Sequence, residues 1–238
     1  MDKPLDSMIG RHSLVSLLQV FDTQFPSGGY AHSLGLEGLV QNGVITSYED
    51  LLSFTQEEVL PCLTHTDLPI FRFTYNSVMD AKYSWIQKMD HLSNATKGTK
   101  EMRSSGIRMG RQLARLIQNI WGEDSEFLQH WKEVDAQLTL YQWTPVLASF
   151  CAIKNTDLFQ SMTAYSLQVV QSWAQASIKL IALGPTQAQR YVARIGQEIS
   201  RVVLESEPIE MEKIGYFSSR WDIASSLHEN APSRLFIS

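Results

Sequence analysis

Phe25-Pro26-Ser27-Gly28-Gly29-Tyr30-Ala31-His32-Ser33-Leu34-Gly35-Leu36-Glu37 is the stretch on which the reading of the chain turns. Pro26 fixes its own φ and excludes Phe25 from the helical region. Gly28 and Gly29 permit positive φ or a close backbone approach. Ser27, Tyr30, His32, Ser33 and Glu37 then bring polar groups to a place where the chain has just turned. Phe25, Tyr30, Leu34 and Leu36 are too closely spaced for a solvent linker. The local pattern allows a tight turn between two core helices, and equally a shaped surface that presents polar groups.

Amphipathic segments lie on both sides. Upstream, Leu14, Leu17, Leu18 and Phe21 fall at i, i+3, i+4 and i+7, which predicts a helix over 11–23. Downstream, a short helix over 31–41 is expected to end at Asn42-Gly43. Ser47 reads as an N-cap with Glu49 and Asp50 in the first turn. That helix is expected to stop at Pro61 and a new one to begin at Thr66-Asp67. Residues 82–92 read as helical. Residues 99–120 read as a long helix in which Gly106 and Gly110 share a face, open to a second backbone. Further helices are expected over 126–142, from Thr144-Pro145 to 153, and from Asn155-Thr156-Asp157 onward. Residues 158–183 form the longest apolar stripe, through Leu158, Met162, Tyr165, Val169, Trp173, Ala176, Leu180 and Leu183. A helix apolar over so much of its circumference belongs at the centre or at a subunit interface. Lys179 is the single charge in it, expected to reach the surface or a partner-facing rim. Gly184-Pro185 ends it and Thr186 is expected to cap the last long helix. Residues 205–220 read as a loop, and 221–228 as one or two turns. The count is roughly ten helices with no strand, giving one all-α domain. It divides into an extension over 1–10, a body over 11–228 and a tail over 229–238. The tail carries Leu235 and Phe236 with no later element to bury them, as in a peptide that orders against a partner.

Composition narrows the function. The chain has 238 residues, 44% hydrophobic and 19% charged, with a net charge of −5. That supports a sizeable core and lacks the basic footprint of a nucleic-acid binder. No apolar run approaches the ~20 residues of a membrane span, and the first residues lack a signal-peptide layout. Two cysteines, Cys62 and Cys151, fit a reducing, cytoplasmic setting rather than a disulfide scaffold. Ala31-His32-Ser33-Leu34-Gly35 approximates a nucleophile elbow, but that motif needs a strand before the serine, and the upstream element reads as helical. Gly28-Gly29 has no following Gly-Lys-Ser/Thr for a phosphate loop. Cys62, His65, Asp67 and His228 are candidates for transient metal contact, without a second ligand pair at zinc-site spacing. No pair of carboxylates stands out as an acid/base couple.

The residues from Phe25 to Glu37 resemble the N-terminal signature of UreF, a family of urease accessory proteins. Asp67-Leu68-Pro69, Lys100-Glu101-Met102-Arg103-Ser104, Gly110-Arg111, Ser177-Ile178-Lys179-Leu180 and the end from Asp222 through Arg234-Leu235-Phe236 are similar to later blocks of the family, in the same order. Phe25 departs from the commoner leucine, and Ile237 from a frequent basic residue. The resemblance implies an all-α dimer without catalysis or a cofactor of its own. It implies a scaffold that binds a second accessory protein (UreD, also called UreH). With it the scaffold recruits the GTPase UreG to apo-urease for nickel insertion. A nickel carrier in the same pathway is the alternative. By family position, Glu37 and Lys179 are expected to face the GTPase, in an array with Pro26, Gly28, Gly29, Tyr30 and Ser33. Glu101 and Arg103 are expected at partner-binding positions, and Arg234, Leu235 and Phe236 as anchors for the second accessory protein.

Overall fold

The computed structural model describes residues 5–29, 32–229, 231 and 233–236. Tyr30 and Ile237 lie outside the described residues. Ten helices follow in order: α1 (Leu5–Phe21), α2 (Leu36–Gln41), α3 (residues 48–79), α4 (Ser84–Ala95), α5 (Lys100–Trp121), α6 (Ser125–Asp135), α7 (Trp143–Ile153), α8 (Leu158–Leu180), α9 (Pro185–Ser206) and α10 (Ser219–His228). No strand occurs among the described residues, so the fold is all-α. None of the described helices is long and apolar enough to cross a membrane.

Helix α8 is central, as its width of apolar surface predicts. It packs along α9 and also meets α1, α2, α3 and α7. Met162, Tyr165, Val170, Trp173 and Ala176 are buried along it. Full burial of a large apolar side chain contributes roughly 1.5–3 kcal/mol, so this row outweighs any cap. Lys179 is exposed, at the helix end.

Helix α3 corrects the expected break at Pro61. The chain stays helical from 48 to 79, widening to π-helix at Thr55–Val59 and at Leu63–Asp67. Each widening ends two residues before a proline, Pro61 or Pro69. A proline cannot donate to the carbonyl four residues back and its ring crowds it, and a π-bulge relieves that crowding. The two carbonyls in question, Glu57 and His65, receive donors from a distant loop instead. The Gly215 N–H donates to His65 O at 3.0 Å, and the Tyr216 hydroxyl to Glu57 O at 3.4 Å. The His65 and Tyr216 rings stack at 6.3 Å, and Arg220 pairs with Glu57 and Glu58. Residues 205–220 are therefore helical to Ser206 and again from Ser219, with a strap between them bound across α3.

Caps set most other ends. Ser47 accepts from the Asp50 N–H in a capping box, and Asp124, Asp157 and Thr99 each cap the helix that follows. Gln142 precedes α7, so Thr144 is its second residue rather than its cap, and Gly184 stands at the α9 cap in place of Thr186. Helix α1 begins at Leu5, ahead of the expected start at Arg11. Of its apolar face, Leu17 and Phe21 are buried, while Leu14 and Leu18 are exposed.

The helix expected over 126–142 stops at Asp135. The reason is Asp90, fully buried on α4, whose carboxylate accepts the N–H groups of Thr139, Leu140, Tyr141 and Gln142 at 2.7–3.1 Å. Four donors turned toward one carboxylate cannot also serve a helix. The captured segment crosses α5 where Gly110 sits; a Cβ there would collide with the Tyr141 carbonyl. The close backbone approach expected of the Gly106–Gly110 face is made by this segment.

Candidate functional site

The 22–35 turn is fastened to α5 and α10. Phe25 stacks on Trp121 with ring centroids 6.3 Å apart, and Gln112 Nε2 donates to the Pro26 carbonyl at 3.4 Å. Pro26 and Gly28 are exposed, Gly28 with φ 89°; Gly29 is half-buried. Leu34 sits at φ 52°, a costly value for a bulky residue. Its carbonyl accepts the Trp221 Nε1–H at 3.2 Å, which holds it there. Gly35, at φ 84°, has Trp221 pressed against its Cα, where a side chain would clash. The approach continues into α2, which lies against α10 at Gly38 and the Ala224 carbonyl.

This packing delivers Glu37 to the end of the chain. Glu37 Oε1 accepts the Leu235 N–H at 2.8 Å and Oε2 the Phe236 N–H at 2.9 Å. Gln41 Nε2 donates to the Ser233 carbonyl at 3.2 Å. His228, 2% exposed, lies between two carboxylates. Its Nδ1 is 2.9 Å from Glu101 Oε2; its Nε2 is 3.1 Å from Glu37 Oε2 but off the hydrogen-bond direction. Arg234 pairs with Glu101 Oε1 at 3.1 Å and donates to the Glu229 carbonyl. The Lys179 ammonium stands over the Phe236 ring, 5.6 Å from its centroid. Two carboxylates, one histidine and two cations thus clamp the terminal segment onto α2, α5, α8 and α10.

The expected site residues divide accordingly. Glu37, Glu101, Lys179, Arg234, Leu235 and Phe236, scattered over 200 residues of sequence, come together. Ser33 and Glu37 do not form a surface array: Ser33 is fully buried with its Oγ accepting the Glu37 N–H at 3.2 Å, and Glu37 is 2% exposed. The reason is that α10 and the tail cover the α2 end. The tail is not free either. Phe236 is buried against its own chain, while Leu235 is 71% exposed. Arg103 joins neither cluster; its guanidinium donates to the Lys97 and Gly98 carbonyls and closes the α4–α5 joint. Sequence reasoning missed the linking role of Trp221 and His228. The spacing Trp221, Ala224, Ser225, His228 on one face of α10 was the available signal.

The candidate metal contacts are dispersed among other duties. Asp67 is bound by the Lys97 ammonium at 2.7 and 2.8 Å and by the Thr144 hydroxyl at 3.0 Å. Burial alone would push the Lys97 ammonium down; the Asp67 carboxylate outweighs it and holds Lys97 above its usual value. Part of Cys62 reaches the surface, but burial pushes its thiol up to about 11. His65 lies on Tyr216, and His228 sits in the clamp. Among the described residues, no three His, Cys, Asp or Glu side chains are grouped to hold a metal ion. A cavity of about 190 Å³ runs between these regions, lined by Phe25, His32, Cys62, Asp67, Trp221 and Phe236 among others. Residues of the turn and Phe236 of the tail both line it.

The fold is all-α, and its buried polar groups tie the 235–236 backbone to α2, α5 and α10. The UreF family model matches residues 45–196, and the chain belongs to the UreF family. Individual relatives match over a longer share of the chain than the family model does. The chain is 28% identical to the urease accessory protein UreF of Bacillus sp. (strain TB-90), over 94% of this chain and 99% of the relative. It is 27% identical to UreF of Marinomonas sp. (strain MWYL1), over 94% and 93%. It is 25% identical to urease accessory protein F of Oryza sativa subsp. indica, over 96% and 86%.

Proposed function

We propose that this chain acts in urease maturation as a non-enzymatic scaffold. It joins a UreD/UreH-type accessory protein and recruits a UreG-type GTPase to apo-urease, so that nickel, the cargo, reaches the urease site. The relatives named as urease accessory proteins, matched over nearly their whole length, carry the first part of this reading. The terminal clamp carries the second. It presents Leu235 outward while the backbone on either side of that residue is held, so an apolar anchor is offered with little ordering entropy left to lose on binding. Ile223 and Leu227, one turn apart on α10, are also exposed. Lys179 lies at the edge of the same assembly and supplies charge for encounter and register. Glu37 acts here by holding the tail, not by touching the GTPase.

The reading is tested by co-expressing the chain with the urease structural subunits and the other accessory proteins. Deleting Arg234 to Ser238 should abolish co-purification of the UreD/UreH-type protein and leave the helical circular dichroism unaltered. Lys179→Ala should weaken GTPase recruitment. Fully nickel-loaded, active urease in cells lacking the chain would sink the proposal, as would turnover by the purified chain alone.

A further inference from the structure

Helix α5 carries five cations, Lys100, Arg103, Arg108, Arg111 and Arg115, and a single acid, Glu101. Lys100, Arg103 and Glu101 are engaged at the α4–α5 joint and the clamp. The other three arginines stand apart. Arg108, Arg111 and Arg115 are exposed and fall at i, i+3 and i+7, one face over about 10 Å of helix. Two of them touch neutral side chains: Arg108 reaches Ser105 Oγ at 3.5 Å and Arg115 reaches Gln112 Oε1 at 3.4 Å. None of the three is paired with a carboxylate among the described residues. In a chain of net charge −5, with 25 acids against 20 lysines and arginines, three adjacent uncompensated guanidiniums are a local inversion of sign. The field reaches inward as well: His32, buried beneath, is pushed down to about 4 by burial and by Arg108.

We propose that Arg108, Arg111 and Arg115 form a docking surface for an acidic helix of a partner protein, separate from the terminal clamp. The spacing matches carboxylates at i, i+3 or i+4, and i+7 on a facing helix, and guanidinium–carboxylate pairing is the geometry that arginine serves best. The surface is a convex helix face, not a cavity that could enclose a small anion. A long polyanion such as nucleic acid would meet the negative remainder of the molecule. The row adjoins the 25–29 turn, since Gln112, between Arg111 and Arg115, holds the Pro26 carbonyl. That gives the exposed Pro26 and Gly28 a place at the edge of an interface.

The inference rests on the maturation reading only for the choice of partners. The test uses the purified full chain, its R108Q/R111Q/R115Q variant and its R108E/R111E/R115E variant. Each is measured by biolayer interferometry against the purified UreD/UreH-type protein, the UreG-type GTPase and apo-urease, at low and high salt. One partner should lose about tenfold or more in affinity with the glutamine variant at low salt, mostly in association rate, and more with the glutamate variant. The wild-type salt dependence for that partner should flatten in the glutamine variant. Circular dichroism should be unchanged, because these side chains are exposed. Equal binding of wild type and variants to every partner overturns the arginine surface and leaves the maturation reading standing. Wild type that binds none of the three proteins removes both. A fluorescent single-stranded oligonucleotide held by the wild type and released by the glutamine variant would replace the acidic helix with nucleic acid, and so also overturns the proposal.

Discussion

The carboxylate of Glu37 accepts the backbone N–H of Phe236 at 2.9 Å across a sequence separation of 199 residues. A buried carboxylate on α2 thereby fixes the backbone at Phe236, and the same side chain takes the Leu235 N–H with its other oxygen. Hydrogen bonds to a charged acceptor are the stronger kind. Phe236 is thus packed against the body, where it lines the same cavity as the turn.

Glu37→Ala removes the acceptor for both tail N–H groups. The expected cost is about 2 kcal/mol, with release of the tail rather than global unfolding. Hydrogen exchange followed by mass spectrometry should show protection lost at 234–236 and retained in α8. Unchanged protection of the terminal peptide would show that Arg234 and Lys179 hold it without Glu37.

The glycines should rank by what surrounds them. Gly110→Ala forces a methyl into the Tyr141 carbonyl, whose peptide is fixed by the Gln142 N–H donating to Asp90, and should cost about 3 kcal/mol. Gly106→Ala meets the end of the Gln142 side chain and should cost less. Gly196→Ala, with open space around it on α9, should stabilise by about 1 kcal/mol. Thermal melts of the three variants check the order, and a Gly110→Ala protein as stable as wild type would remove the close crossing at 140–142.

Both thiols should be inert in the folded protein. Burial raises Cys62 to about 11 and Cys151 to about 12, so neither is thiolate near neutral pH. Reaction with a thiol-disulfide reagent at pH 7 should run on the order of a hundredfold slower than with a free cysteine. Both should titrate in denaturant. Fast labelling of native Cys62 would contradict its burial.

His32 should make stability depend on pH. Its folded value, about 4, lies below the unfolded 6.5, so the unfolded chain binds the extra proton first. The stability His32 supports is full above pH 6.5 and is lost as pH falls toward 4, by at most about 3 kcal/mol. The cause is burial, then Arg108. Denaturant melts of wild type and His32→Asn at pH 7 and pH 4.5 should diverge less at the lower pH. A constant difference between the two would exclude His32 as the source.

Local chemistry in the sequence determined the helical class, the number of helices, the caps at Ser47 and Asp157, the central place of α8 and the special character of the Pro26–Glu37 stretch. Apolar periodicity, cap residues and breakers act over one or two turns, and so are legible without a fold. Helix α3 and the segment after α6 were not legible, because their paths are set by atoms far away in the chain. The strap before α10 supplies donors, from Gly215 and Tyr216, to the carbonyls four residues before Pro61 and Pro69, and Asp90 draws four N–H groups out of a helix. The tail's course was hidden for the same reason. Leu235 and Phe236 look unburied when nothing follows them, and only the folded chain brings Glu37, His228 and Lys179 to meet them. Which apolar groups a chain buries is written into its pattern; which polar groups find one another depends on long-range contacts that exist only once the core has formed.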